Sequence, residues 1–266
     1  MSLSNESSRI LPALDDIFQG KCVLHDQLPE CEETFKLMLE ESLLHWTQNK
    51  VRGVWLTIPS EKASFIPIAI ENKFVFHHAK PHYVTLTRWL PQDEQNKLPN
   101  YAFTHVGVGG FVLNEKNELL VVREKYAHQT ASWKIPGGLV EAGESLIEAA
   151  IREVLEETNI QTCFISIIGF RHCGRDKSGD ADLYFVVRLK PTSSSITMDS
   201  SELADAAWMP LSEYLTHPLV RPFSREIAKI SAQRVANGDL GSELRLAEFE
   251  DWPRDSDDAQ IYLNHF

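Results

Sequence analysis

Between about residues 31 and 48 the apolar positions Phe35, Met38, Leu39, Leu43 and Trp46 recur at helical spacing, which predicts an amphipathic helix. Val51 to Ile58 follows as a strand, and a second helix is expected from Ser60, with Pro67 disturbing its first turns. Phe74 to Phe76 and Tyr83 to Trp89 read as further strands. The pattern then breaks. Leu90 to Ala102, LPQDEQNKLPNYA, is polar, carries two prolines and has no period, as expected of a linker. After it, THVGVGGFVLNEKNELLVVREK contains two β-rich runs around a turn at Asn114 to Asn117, the signature of a hairpin. Strand signals return at Thr162 to Phe170, Ala181 to Leu189 and Ala206 to Met209, and a last helix is expected from Pro222 to Ala236. The order strands, helix, strands, helix suits an α/β/α sandwich around a mixed sheet. The chain therefore divides into a small α/β domain with an N-terminal extension (1–95), a larger α/β domain (103–236) and an irregular tail (237–266) with Asp251, Asp255, Asp257 and Asp258 close together.

Composition narrows the possibilities. With 266 residues, 43% of them hydrophobic, the chain has enough apolar material for one large or two small cores. A formal net charge of -12 argues against a nucleic-acid polymer as partner, because phosphate-backbone binders present a basic face. Cys22, Cys31, Cys163 and Cys173 lie far apart and lack metal-ligand or disulfide-framework spacing, so reduced thiols are expected. There is no signal-peptide pattern near the start and no run of about twenty apolar residues. The expectation is a cytoplasmic protein with no membrane partner.

The chemistry is concentrated between Gly138 and Ile160, where GLVEAGESLIEAAIREVLEETNI sets six carboxylates around Arg152. Acids that crowded repel one another unless a cation neutralises them, and hard divalent cations prefer oxygen ligands. A helix from about Ser145 to Thr158 would bring Glu153, Glu156 and Glu157 together, opposite an apolar stripe of Leu146, Ala150, Ile151, Val154 and Leu155. Ser145 with Glu148 three positions on predicts a capping box at its start. Asn159, which tolerates the left-handed conformation, marks its end. Arg152 has Glu148 and Glu156 one turn away on either side and could hold them in register.

Gly138, Glu144, Arg152, Glu153, Val154, Glu156, Glu157 and Ile160 match the Nudix box at every spacing, with Asn159 standing where that pattern usually has glycine. The runs GVWLTIP, FHHAKPHY, VGVGGFVLN, ELLVVREK, WKIPGGLVEAGE, DLYFVVRLKP and AAWMPLSEYL also resemble the animal Nudix-6-type proteins and the plant ADP-ribose/NADH pyrophosphatases, over about residues 30 to 232. The resemblance implies a Nudix α/β/α sandwich with a mixed sheet, preceded by a small α/β pre-Nudix domain, and a homodimer. It implies hydrolysis of a nucleoside diphosphate derivative such as ADP-ribose or NADH, with Mg2+ or Mn2+ as cofactor. By position in the motif it assigns Glu153, Glu156, Glu157 and the Gly137 carbonyl to the metal, with Glu153 as a possible base and Arg152 and Glu144 as supports. It leaves open an isoprenoid, sugar or oxidised nucleotide diphosphate as substrate, or a nucleotide-binding regulatory protein without turnover.

Outside the box, Glu202 sits where some members of that family place a catalytic acid. Arg123 and Arg171, at ends of predicted strands, are candidates to grip a diphosphate, and Tyr126 and Phe170 to stack on a base. Trp133 is assigned to the core. Adjacent His77 and His78 should point to opposite faces of a strand and so not share a metal. The GVGG run at Gly107 to Gly110 is expected to serve close strand packing, and Asp180 and Asp182 to shape a hairpin turn.

Overall fold

The computed structural model describes residues 9–126, 132–174, 180–236, 244–246 and 262–263. It separates into two compact units, Met1–Ala102 and Phe103–Phe266. Most of the acidic tail, Asp251 to Asp258 included, lies outside the described residues.

The first unit runs β1 (Ala13–Asp15), β2 (Lys21–Val23), α1 (Glu32–Gln48), β3 (Gly53–Pro59), α2 (Phe65–Glu71), β4 (Val75–Lys80) and β5 (Tyr83–Trp89). The strands form one sheet in the order β1-β2-β3-β5-β4, with β2 and β3 parallel. Alternation in β3 buries Val54, Leu56 and Ile58 against Phe35, Leu39 and Trp46 of α1. Phe35 stacks on Phe65 of α2, with ring centroids 4.3 Å apart. The helix expected from Ser60 starts only at Phe65, after a 3-10 turn at Ser60–Lys62. Pro67 then falls in the first turn of α2, where a missing N–H breaks no helical bond.

The expectation that His77 and His78 face opposite sides is overturned. A register shift between Phe76 and His78 inserts an extra residue in β4 opposite β5, and a bulge of this kind re-aims side chains. The two imidazoles meet with Nδ1 to Nδ1 at 2.7 Å. His77 Nε2 lies 3.1 Å from the Pro99 carbonyl, which can only accept, so Nε2 donates and the neutral ring's Nδ1 accepts from His78. Tyr101 stacks on His78 at 4.6 Å, which ties the end of the expected linker to this sheet.

The second unit contains β6 (Thr104–Val112), β7 (Glu118–Glu124), β8 (Gly137–Leu139), α3 (Leu146–Thr158), β9 (Thr162–Cys173), β10 (Ala181–Pro191), β11 (Leu203–Pro210), α4 (Leu211–Thr216), α5 (Pro222–Ala236) and the short β12 (Arg245–Leu246) and β13 (Tyr262–Leu263). Strands pair as β8-β6-β10-β9, with β6 and β10 parallel, and separately as β11-β7. The expected turn at Asn114 forms, its side chain accepting the Lys116 and Glu118 N–H groups, but the hairpin does not continue. After a single bridge at Leu113 and Leu119, β7 leaves β6 and pairs with β11.

Helices cover both faces. On one, Ala150 and Val154 of α3 pack on Val108, Val112, Val187 and Leu189; on the other, Tyr214 of α4 and Ala228 of α5 pack on Phe111 and Val186. Odd and even positions of β6 thus serve opposite layers, which is the α/β/α sandwich expected. The glycines of β6 permit this. A Cβ on Gly109 would strike the Tyr184 hydroxyl, and one on Gly110 would strike Val154 Cγ2 and come within 3.1 Å of Leu189 Cδ1. Val154 and Leu189 are buried, so neither can yield. Gly110→Ala should therefore destabilise the fold by about 1–3 kcal/mol, the usual cost of overpacking. Denaturant titration of the variant should show the loss, and an unchanged midpoint would contradict this packing.

Candidate active site

The acidic segment of the sequence becomes a strand, a loop and a helix: β8, residues 140–145, and α3. Gly143 turns the loop at φ +86°, a conformation that suits glycine. Ser145 Oγ accepts the Glu148 N–H at 3.2 Å while the Glu148 carboxylate accepts the Ser145 N–H at 2.9 Å, so the capping box is formed. At the other end Asn159 adopts φ 58°, left-handed as its position demands, and its N–H donates to the Leu155 carbonyl.

Arg152 organises the loop. Its Nε and Nη2 donate to Glu144 at 2.8 and 2.9 Å, a bidentate pair, and Nη2 also reaches the Leu139 carbonyl at 3.1 Å. Nη1 donates to Glu153 at 2.9 Å and to Glu156 at 3.0 Å. Glu148 is not its partner, contrary to the helical-spacing expectation, because the cap already occupies that carboxylate. The pairing with Arg152 pulls Glu144 below the usual carboxylate range, and Glu144 above all raises Arg152.

Glu153 lies under β8 so closely that a Cβ on Gly138 would collide with its carboxylate. A Cβ on Gly137 would collide with the Val108 carbonyl of β6. The paired glycines therefore let strand and helix carboxylate meet. Gly137 also donates its N–H to Glu157 at 3.1 Å. Glu157 is 7% exposed, and burial pushes its carboxyl up to about 7, against the lowering pull of Lys134 and the Gly137 N–H.

Glu153, Glu157 and Glu202 line one cavity together with Glu124, Glu141 and Lys134. Three of these, Glu124, Glu141 and Lys134, were not singled out from the sequence, Glu141 entering only as one of the six carboxylates around Arg152. Lys134 Nζ is 2.6 Å from Glu124 and 3.9 Å from Glu157. Glu156 does not line this cavity; its side chain is 60% exposed and turned to Arg152. Among the described residues no three His, Cys, Asp or Glu side chains are gathered tightly enough to form a metal cluster as they stand. The carboxylates ring the cavity, and Arg152 draws one of them, Glu153, toward itself.

Glu124, Lys134 and Gly137 are shared with a second, inner cavity of about 250 Å³, walled by Phe111, Ile135, Tyr184 and Phe223 with Arg171 and Arg221. Arg171 is held by Asp182 at 2.5 Å and lies over the Tyr184 and Phe223 rings. Asp182 is thus an arginine's partner in β10, and 175–179, the middle of the expected turn, lie outside the described residues. Arg123 borders neither cavity. It alternates with Glu124 along β7, so when Glu124 faces the cavity Arg123 faces away, toward Asp205 at 3.4 Å and the ring of the core residue Trp133. Tyr126 stands at the rim of the acidic cavity, 78% exposed. Phe170 borders neither cavity and packs on Phe185 at 5.4 Å.

The donor set suits a hard divalent cation, since Glu124, Glu141, Glu153 and Glu202 line the cavity with Glu157 and offer carboxylate oxygens against the single ammonium of Lys134. Burial of Glu157 has a consequence for stability. A carboxyl held up to about 7 in the fold, above its ordinary 4.5, favours folding below about pH 4.5, and that contribution is lost as pH rises to about 7. Glu124 and Glu144 shift the other way, so the effect is isolated by comparison with Glu157→Gln. In chelator, the native protein's melting temperature should fall relative to that of Glu157→Gln as pH rises through this window. A constant difference would contradict the assignment.

Comparison with known families finds a match in each of the two units. A family model described as the Nudix hydrolase domain matches residues 11–90 and one described as the NUDIX domain matches residues 103–229. Nudix hydrolase 8 of Arabidopsis thaliana is 42% identical over 83% of this chain, which spans 60% of that relative's length. Nudix hydrolase 2 of the same plant is 36% identical over 82% of this chain and 78% of its own. Nucleoside diphosphate-linked moiety X motif 6 of Mus musculus is 34% identical over 80% and 69%. Among solved structures, the MutT protein from Methanosarcina mazei Go1 overlays 51% of this chain and 99% of its own at 23% identity, with a TM-score of 0.44. With both units matched and relatives above 30% identity along most of their own length, the chain belongs to the Nudix hydrolase family.

Proposed function

We propose that this protein hydrolyses the diphosphate linkage of a nucleoside diphosphate derivative of the ADP-ribose or NADH type, with Mg2+ or Mn2+, to give two monophosphates. The observation that carries the reading is the buried Glu157, pushed up to about 7 beside Glu153 and Glu124 in a cavity rich in carboxylates. A site with that excess of acid would repel a diphosphate unless cations entered with it.

Glu153, Glu156 and Glu157, with the Gly137 carbonyl, would hold the metal; Glu156 would have to leave Arg152 to do so. The metal would supply charge neutralisation and acidify a water. Arg152 and Glu144 keep the loop and Glu153 in place. Glu202 would take the proton from the attacking water. Its own carbonyl accepts the Lys125 N–H at 2.9 Å, which anchors the residue at the cavity wall. The aromatic inner cavity, with Arg171 among its walls, supports a nucleoside-sized group as the moiety beside the diphosphate.

Purified protein should release AMP from ADP-ribose or NADH when Mg2+ or Mn2+ is present and not in chelator, read out by product chromatography. Glu157→Gln should abolish turnover while circular dichroism stays native; full activity in that variant would sink the assignment. Glu202→Gln should lower kcat by about 10²–10⁴, the range for a lost general base, with a smaller change in KM.

A further inference from the structure

Among the described residues lining the acidic cavity there is one cation, Lys134, facing Glu124, Glu141, Glu153, Glu157 and Glu202. Its backbone is fixed. Lys134 and Val122 exchange N–H to carbonyl bonds at 3.0 and 2.8 Å, and the Trp133 N–H before it donates to the Leu219 carbonyl at 2.9 Å. The head of the side chain is less constrained, since among the described residues its ammonium makes one short contact, to Glu124 at 2.6 Å, and stands 3.9 Å from Glu157. An ammonium has three donors on a flexible stem, so two remain available for another oxygen.

Position gives those donors a use. Lys134 lines the acidic cavity and the aromatic one, with Glu124 and Gly137, at the junction between them. Any molecule with a diphosphate among the carboxylates and an attached ring in the inner cavity must pass its phosphate oxygens by this junction. Of the neighbouring arginines, Arg152 is engaged by Glu144, Glu153 and Glu156 and Arg171 by Asp182, while Arg221 lines the inner cavity and not the acidic one.

We propose that Lys134 is an exchangeable counter-ion, balancing Glu124 and Glu157 in the metal-free protein and turning to a non-bridging diphosphate oxygen when a divalent cation takes Glu157. The inference rests on the hydrolytic reading above. The physical basis is that an ammonium and a divalent ion repel each other across one carboxylate, so binding of the second displaces the first. The displaced head then needs an anion, and the diphosphate supplies one. Lys134 would thus couple metal entry to substrate grip, and would compete with the metal when substrate is absent.

Lys134→Met, similar in length and uncharged, separates this from an ordinary salt bridge to Glu124. Calorimetric titration with Mn2+, without substrate and at about pH 8.5 so that Glu157 is ionised, should show tighter binding in the variant, by about tenfold, since a competing charge is gone. KM for ADP-ribose should rise by about 10- to 100-fold, the loss expected for a hydrogen bond to a charged group, with kcat changed less. Lys134→Gln repeats the test should the first variant fail to fold. Mn2+ affinity that is unchanged or weaker in the variant, or no Mn2+ binding by either protein, overturns the counter-ion role. Tighter metal binding with an unchanged KM overturns the contact with substrate. If the native protein cleaves none of the diphosphates tried, the hydrolytic reading fails, and the Mn2+ comparison still decides the counter-ion role on its own.

Discussion

The constraint on which the site depends is the full set of partners required by the Arg152 guanidinium. Its bonds reach Glu144 in the loop, Leu139 in β8, and Glu153 and Glu156 on α3. One planar, permanently charged group therefore locks strand, loop and helix in a single geometry. Several acids on one short segment would otherwise repel one another. Here the two most tightly paired, Glu144 and Glu153, have side chains only 15% exposed, where screening by water is weak and the pairing correspondingly strong.

A second constraint is steric and serves the first. The Glu153 carboxylate can lie against β8 only because Gly138 has no Cβ, and β8 can lie against β6 only because Gly137 has none. Glycines in β6 do the same for the layers above and below, admitting Tyr184 on one side and Val154 on the other. Close backbone approach thus replaces side-chain filling where the cavities form. The same feature leaves Glu157 buried beside a strand whose N–H it accepts, with its carboxyl shifted toward neutrality.

Charge at the site is distributed between two settings. Arg152 satisfies the carboxylates at the loop side, whereas Glu157 and Glu124 share Lys134 at the junction of the cavities. The first arrangement is a rigid fork with many bonds, the second a single flexible ammonium. Structure is held by the arginine, and the more weakly balanced acids are left to the cavity where chemistry is proposed.

Much of this was legible along the chain because it is local. The capping box at Ser145, the left-handed Asn159, the amphipathic α1 and the bounds of α5 follow from spacing and residue type within one element. Short or weakly patterned pieces escaped: β1, β2 and the six-residue α4 are too brief to show a period. Other features depend on partners distant in sequence. A bulge against β5 turns His77 to His78; β7 abandons its hairpin for β11; and the pairing of Val122 with Lys134 brings that lysine to Glu124. Sequence alone determined which acids sit on one helix and how that helix starts and stops, since those are interactions over three or four residues. Only the tertiary structure decided which of them face a cavity, that Glu148 caps instead of pairing, and that Lys134 stands among the acids, because strand pairing and burial are settled by the whole fold.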